Sequence, residues 1–516
     1  MIVKKAVFAA IAASAAAAFA APLYMDQLEA LKFKTVNGRE LKGGGDIYVA
    51  ATNAYRAVAD VTEFGAVGDG RTDDTAAIMA ARAEAVATGR PLYFPANAHG
   101  STYLTRKGVI VESGMTVTSE PGVTLSSASA VLDGGGSTLR KVLAKAAAKG
   151  TNIVYLVDVG GLKVGQEVTL CVTSPGGYSE TLADIVAIDE VEKSVEIDTG
   201  RFGDGTNKGL LNALPKGSYL LTDFALVKTV LARPCVNATV ENLTLKPCGN
   251  MGDPYVYTIS PIHQTKQQTS QSDFVVRNVT IDGSTHDGIS IQGSGDIYVL
   301  NCTVKNVKHK GIHWGTSCDK VVVRGNRCLN CGSTEYEAVS NNKGTGAMYF
   351  CVNNHRVIIE GNFVKDCYKG VFGFDYRGNG ESDYNPVIAN NVFDNCTDCG
   401  MRLESGYGGT VCGNLFVNFG GKSVPLDISG ENIVHTGMCV AGNRFCGFRA
   451  DFEGAHGVLY AARGRGCVFR GNVLDEGDLV YTNAVNCVFA DNSIGGRLVD
   501  LGTSENNAID GNTTAE

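Results

Sequence analysis

An asparagine, often preceded by glycine, returns along the second half of the chain at Asn278, Asn301, Asn326, Asn362, Asn391, Asn414, Asn443, Asn472, Asn492 and Asn512. Successive markers lie 20 to 29 residues apart, except for one interval of 36 between Asn326 and Asn362. Such a period signals a solenoid, in which each repeat packs only on its neighbours. Short β-type runs flank the markers, as in Val321-Val322-Val323 and Arg356-Val357-Ile358-Ile359. Strands and turns repeated once per interval make one coil of a parallel β-helix. Amides stacked at ~4.8 Å can hydrogen-bond along their column, which gives the asparagine its physical reason.

Five residues after successive markers stand Cys331, Cys367, Cys396, Phe419 and Phe448, which reads as an inward stack of soft and aromatic side chains. The 16 cysteines therefore read as reduced core residues of a chain folded in a reducing compartment, although an even number also suits disulfides. The 64 glycines and a charged fraction of only 19% suit an all-β repeat protein of 516 residues. A net charge of −8 without a long basic run argues against a nucleic-acid partner.

Upstream, Val61 to Ile78 reads V-T-E-F-G-A-V-G-D-G-R-T-D-D-T-A-A-I. The spacing predicts a strand over Val61 to Phe64, turns at Gly65, Gly68 and Gly70, and helix-starting oxygens on Thr72, Asp73 and Asp74. A helix with a small-residue face follows, then a strand from Leu92 to Phe94. With Tyr93-Phe94-Pro95 leading to Tyr103, this run resembles the opening of the pectate-lyase-like right-handed parallel β-helices. The resemblance implies a helix capping the open end of the solenoid, so the aspartates here read as structural.

Four regions follow: a leader or attachment segment and hinge over 1–60, the start of the β-helix over 61–140, an inserted small β subdomain over 141–228, and the main β-helix over 229–516. Met1 to Ala21 reads equally as a cleaved signal peptide or as a retained alanine-rich helix. The run K-T-V-N-G-R-E-L-K-G-G-G-D-I, from Lys34 to Ile47, resembles a segment of bacteriophage tail fibres and spikes. It implies a tailspike-like protein: a homotrimer in the virion tail that meets other tail proteins through its N-terminal segment and binds a bacterial surface polysaccharide. A cleaved leader would instead imply a secreted enzyme.

Thirteen residues after the marker lie Ile291, Trp314, Asp375, Glu404, Asp427 and His456. Carboxylates on neighbouring coils would stand ~4.8 Å apart, close to the ~5–5.5 Å of retaining glycosidases, and those two coils apart would approach the inverting spacing. Asp375, Glu404 and Asp427 are thus the expected general acid and base or nucleophile. Arg377 and Arg402 suit a sugar carboxylate. Trp314, Tyr376, Tyr407 and His456 complete a sugar-binding surface. Three functions remain open: a hydrolase, a lyase relying on Arg402 or a lysine, and a non-enzymatic adhesin or spike.

Thr285-His286-Asp287-Gly288-Ile289 resembles one coil of the polygalacturonases, but His309-Lys310-Gly311-Ile312 replaces the paired aspartates of the next. Asp287 accordingly reads as a turn residue. Cys328 with Cys331 and Cys396 with Cys399 lack the second half of a zinc-binding spacing, and no metal or cofactor is expected.

Overall fold

A computed structural model gives the architecture. It describes residues 35–36, 39–40 and 58–515, the latter without 133–138, 173–180, 203–208, 223, 231–234, 248–258, 263–270, 285, 292–294, 316–317, 335–343, 351–353, 374–384, 405, 430–433 and 454–456. Thr35–Val36 and Arg39–Glu40 pair antiparallel on either side of Asn37-Gly38, as a hairpin should. From Ala59 onward the chain is a separate unit, a right-handed parallel β-helix. Two of its sheets have 14 strands and the third has 12. Among the described residues no helix is long and apolar enough to cross a membrane.

The start of the solenoid departs from expectation at one point. Val61–Phe64 is a 3-10 turn, and the strand is Ala59–Asp60. The Asp60 carboxylate accepts the Thr62 N–H at 2.8 Å, and Gly65 ends the turn at φ 98°, so a side-chain cap outcompetes the ladder. Helix α1 (Thr75–Thr88) lays Ala77, Ile78, Ala81 and Ala85 over the core. Asp73 accepts the Thr75 N–H at 3.1 Å. Asp74 instead pins the preceding loop, accepting from Val67 at 2.7 Å, Gly68 at 3.3 Å and Leu104 at 3.2 Å. Gly68 stands at φ 66°, where a Cβ would come within 2.7 Å of the Tyr103 ring.

Between Leu139 and Thr222, six antiparallel strands run in the order Arg140–Val142, Tyr219–Leu221, Glu167–Cys171, Thr181–Asp189, Ser194–Asp198 and Ile153–Tyr155. A bridge from Leu143 to Leu156 joins the outermost two, closing a small barrel around Val154, Val168, Leu170, Ile185, Val195 and Leu220.

Eight asparagines form one continuous interior ladder: Asn326, Asn362, Asn391, Asn414, Asn443, Asn472, Asn492 and Asn512. Each of the first seven passes its Nδ2–H and its backbone N–H to the Oδ1 of the next, and its Nδ2 also donates to a carbonyl on the preceding coil. Asn278 and Asn301 do not join. They stand exposed at φ 53°, at the turn position held by Gly325 on the next coil, while Cys302 occupies the interior position and donates its N–H to Asn326. All 14 cysteines among the described residues are free thiols.

The ladder predicts a graded cost. Asn414→Ala strands the Ile388 carbonyl and the backbone and side-chain N–H donors of Asn391 in the core, while the Asn443 oxygen keeps the backbone N–H of residue 414. At about 1–3 kcal/mol per orphaned group, a loss of at least ~3 kcal/mol is expected in chemical unfolding. Asn512→Ala, at the exposed last coil, should cost under about 1 kcal/mol.

Candidate functional site: the outer face of the third sheet

The candidate residues that the structure describes gather on and beside the third sheet. Its relevant strands are β1 (Ile289–Ile291), β2 (Lys310–Trp314), β3 (Gly346–Phe350), β4 (Lys369–Gly373), β5 (Cys399–Leu403), β6 (Val424–Ile428) and β7 (Leu459–Ala462). In-register pairing lines up Ser290, His313, Tyr349, Phe372, Arg402, Asp427 and Tyr460 on one column. Ile289, Ile312, Met348, Val371, Met401, Leu426 and Leu459, one position earlier, belong to the core. Alternation along a strand therefore turns the first column outward. At ~4.8 Å per coil it runs about 29 Å from Ser290 to Tyr460. His313 and Tyr349 meet edge to face with centroids 5.1 Å apart, and Tyr349 and Phe372 lie 5.6 Å apart.

Arg402 stands between two of the three carboxylates proposed from sequence, Glu404 and Asp427. Its guanidinium lies 3.3 Å from Glu404 and 3.7 Å from Asp427, with about a third of the side chain exposed. Burial works against its charge, but Asp427 and then Glu404 outweigh that and hold it protonated. Asp427 also accepts from the Ser429 hydroxyl. The two carboxylates do not share a register, as the sequence ruler required: Asp427 is opposite Arg402, and Glu404 follows Leu403, the partner of Ile428. The ruler fails because corner lengths vary. From ladder asparagine to the equivalent core residue the chain takes 9 residues (Asn362 to Val371), 10 (Asn391 to Met401), 12 (Asn414 to Leu426) and 16 (Asn443 to Leu459).

Trp314 is corrected. Only 1% exposed, it stacks on Phe350 at 5.2 Å inside the core and offers no sugar platform. Its offset was counted from Asn301, which lies one residue before the interior position, and one residue exchanges the faces of a strand. Tyr407, 39% exposed, bridges to Thr436 at the corner leading into the next sheet. Asp375, Tyr376, Arg377 and His456 lie outside the described residues.

A second cluster occupies the upstream end of the same face. Asp287 is fully buried and is no mere turn residue. Its Oδ1 lies 2.8 Å from His309 Nδ1 and 3.0 Å from His286 Nδ1, and its Oδ2 lies 2.8 Å from His313 Nδ1. Ser290 Oγ is 3.4 Å from the same His313 nitrogen. Lys310, also buried, sets its ammonium 4.1 Å over the Tyr349 ring. Burial would raise the Asp287 carboxyl, but His286, Lys310 and His309 together pull it well below the usual range. Burial lowers all three imidazoles, His309 most strongly and His313 to about 4. The signal available in sequence was the set of three histidines within 28 residues around one aspartate, at positions 286, 287, 309 and 313.

Further upstream the barrel closes over the same face. Lys228, opposite Ile110, is buried and ion-paired to Glu167 of the barrel, which also holds Arg201 at 2.6 Å. Burial pulls the Lys228 ammonium down to about 8.

Two family models match this chain. One, described as a right handed beta helix region, covers residues 267–474. The other, rhamnogalacturonase A/epimerase, pectate lyase-like, covers 58–223. With the three parallel sheets, these matches define the fold class, a right-handed parallel β-helix, whose first part is similar to the pectate-lyase-like model. More particularly, the rhamnogalacturonase A/epimerase match takes in the capped start and the barrel, and the β-helix match takes in both clusters.

No protein with a curated description matches the chain in sequence. Among solved structures, the pre-mature gene product 12 of bacteriophage phi29 is 14% identical with a TM-score of 0.51, over 90% of this chain and 57% of that one. The Yersinia enterocolitica family 28 exopolygalacturonase is 12% identical with a TM-score of 0.44, over 87% and 78%. The tailspike gp61 of Pseudomonas phage phi297 is 13% identical with a TM-score of 0.37, over 89% and 80%.

The buried imidazoles predict the acid limit of stability. An unfolded histidine titrates near about 6.5, whereas burial holds His313 and His435 at about 4 in the folded chain. Between these values the unfolded chain binds protons that the folded chain refuses, so stability falls as pH falls from about 6.5 to about 4. Each imidazole contributes up to ~3 kcal/mol of that loss. Urea unfolding at pH 7.0 and 4.5 should show the drop, and His435→Leu should reduce it. An unchanged midpoint would refute the neutral, buried assignment.

Proposed function

We propose that this protein is a tailspike-like depolymerase that binds an acidic bacterial surface polysaccharide along the outer face of the third sheet and cleaves it by hydrolysis. The observation that carries the reading is the Arg402 guanidinium, about a third exposed, held between the buried carboxylates of Glu404 and Asp427 on that face. A sugar carboxylate competes with both side chains for this cation. Once the guanidinium turns to the substrate, two carboxylates are left near each other without their counter-charge. Repulsion then raises one of them into its protonated form, the state a general acid requires. The other serves as base or nucleophile, and Asp375 completes the acidic group.

From the sequence, Arg377 is a candidate second cation for the polymer, and Tyr376, Tyr407 and His456 are candidate contacts. Ser290, His313, Tyr349 and Phe372 of the column are buried, so the polymer meets it at Arg402 and Tyr460. The Lys34 to Ile47 segment supports the tailspike reading: a homotrimer in the virion tail, attached to other tail proteins through its N-terminal region.

The test is depolymerisation of a panel of acidic capsular polysaccharides and O-antigens, followed by reducing-end release and product size. Glu404→Gln and Asp427→Asn are expected to lose at least about 10²-fold in rate, and Arg402→Ala to lose affinity for acidic glycans alone. Products absorbing as unsaturated uronates would replace hydrolysis by lyase chemistry. Binding without any product from an authentic host glycan would leave an adhesin.

A further inference from the structure

The Asp287 cluster is separate from the Arg402 carboxylates, and hydrolysis by those carboxylates does not use it. Counting strands from His313 to Arg402 puts about 14 Å between the two groups. The geometry points to a transition-metal site: we propose that His286, Asp287 and His309 bind one divalent ion of the zinc or cobalt type, with His313 fixing the second carboxylate oxygen.

Convergence of donors is the first argument. One ligand atom from each of the three residues lies within 4.8 Å of the other two, and all three residues are buried. The imidazole nitrogens are 2.8 and 3.0 Å from the shared oxygen, Asp287 Oδ1. In a tetrahedral site with metal bonds of ~2.0–2.2 Å, neighbouring ligand atoms stand roughly 3.3 Å apart. The two nitrogen–oxygen distances therefore need to lengthen by only a few tenths of an ångström. The His286 and His309 rings, with centroids 4.4 Å apart, already approach the carboxylate from two directions.

The second argument is the chemistry of the set. Two imidazoles and one carboxylate suit a borderline ion such as Zn²⁺ or Co²⁺ and disfavour Ca²⁺ and Mg²⁺, which take oxygen ligands. His313 Nδ1, 2.8 Å from Asp287 Oδ2, is placed as the outer-shell donor that orients a ligating carboxylate. Lys310 is the charge that opposes a cation here. Its ammonium lies over Tyr349, and the Asp287 carboxylate stands among the ligands to offset it.

The purified full-length chain, stripped with chelator, is titrated with CoCl₂ and separately with ZnCl₂ and CaCl₂. Expected are visible d–d bands of four-coordinate Co²⁺ saturating at about one ion per chain, displacement of the bands by Zn²⁺, and no effect of Ca²⁺. His286→Gln and His309→Gln should abolish the bands, and His313→Gln should weaken binding about 10–100-fold. Cys328→Ala should leave it unchanged, which excludes the buried thiols as ligands. Folding of each variant is checked by circular dichroism. Wild-type protein that takes up no Co²⁺ at micromolar concentration overturns the proposal, as does uptake that survives in a folded His286→Gln variant. Neither result bears on the Glu404 and Asp427 reading, which the depolymerisation assay decides.

Discussion

The structure depends on a buried primary amide repeated on eight successive coils. A lone asparagine side chain in an apolar interior leaves donors and an acceptor unpaired, at about 1–3 kcal/mol each. Stacked, every interior member is satisfied: two N–H groups from the preceding coil reach its oxygen, and its nitrogen reaches the oxygen of the next and a carbonyl on the coil before. No coil can slide relative to its neighbours without breaking this set. The ladder therefore fixes register for the whole solenoid, and register decides which side chains of the third sheet share a face.

That dependence explains what could be read beforehand. The ladder is one residue type at one position, so periodicity exposes it and with it the fold. The capping helix was legible for a similar reason, since Asp73 marks its start locally. The outer face is different, because it lies beyond a corner whose length grows from 9 to 16 residues along the chain. A count from the asparagine cannot cross such a corner and keep its phase. Glu404 and Asp427 nevertheless reach the same guanidinium, because a displacement of two positions preserves the face. Trp314 was displaced by one and went into the core. The role of Asp287 was hidden for another reason: its three histidine partners come from two coils and are brought together only by pairing across β1 and β2.

Burying charge on this face requires compensation, and the two ends obtain it differently. At the barrel, Glu167 answers both Lys228 and Arg201, so a fully buried ion pair joins the insertion to the solenoid. Removing one partner of such a pair costs about 3–5 kcal/mol, because the other charge is left in a low-dielectric interior. The network therefore holds the barrel in one place on the sheet more than it adds to stability. Over the next coils the compensation comes from neutral imidazoles and aromatic rings, through Asp287 with its histidines and Lys310 on Tyr349.

These differences divide the labour along the column. Around Asp287 the carboxylate and its three histidines are sealed from solvent, and burial pushes the imidazoles toward their neutral form. Such a sealed set of converging donors is suited to holding an ion in place. Around Arg402 the two carboxylates are buried as well, but the guanidinium between them is about a third exposed. Under the proposed hydrolysis, proton transfer falls where a bound sugar acid can reach that guanidinium, at β5 and β6, and the cluster at β1 and β2 serves the proposed ion.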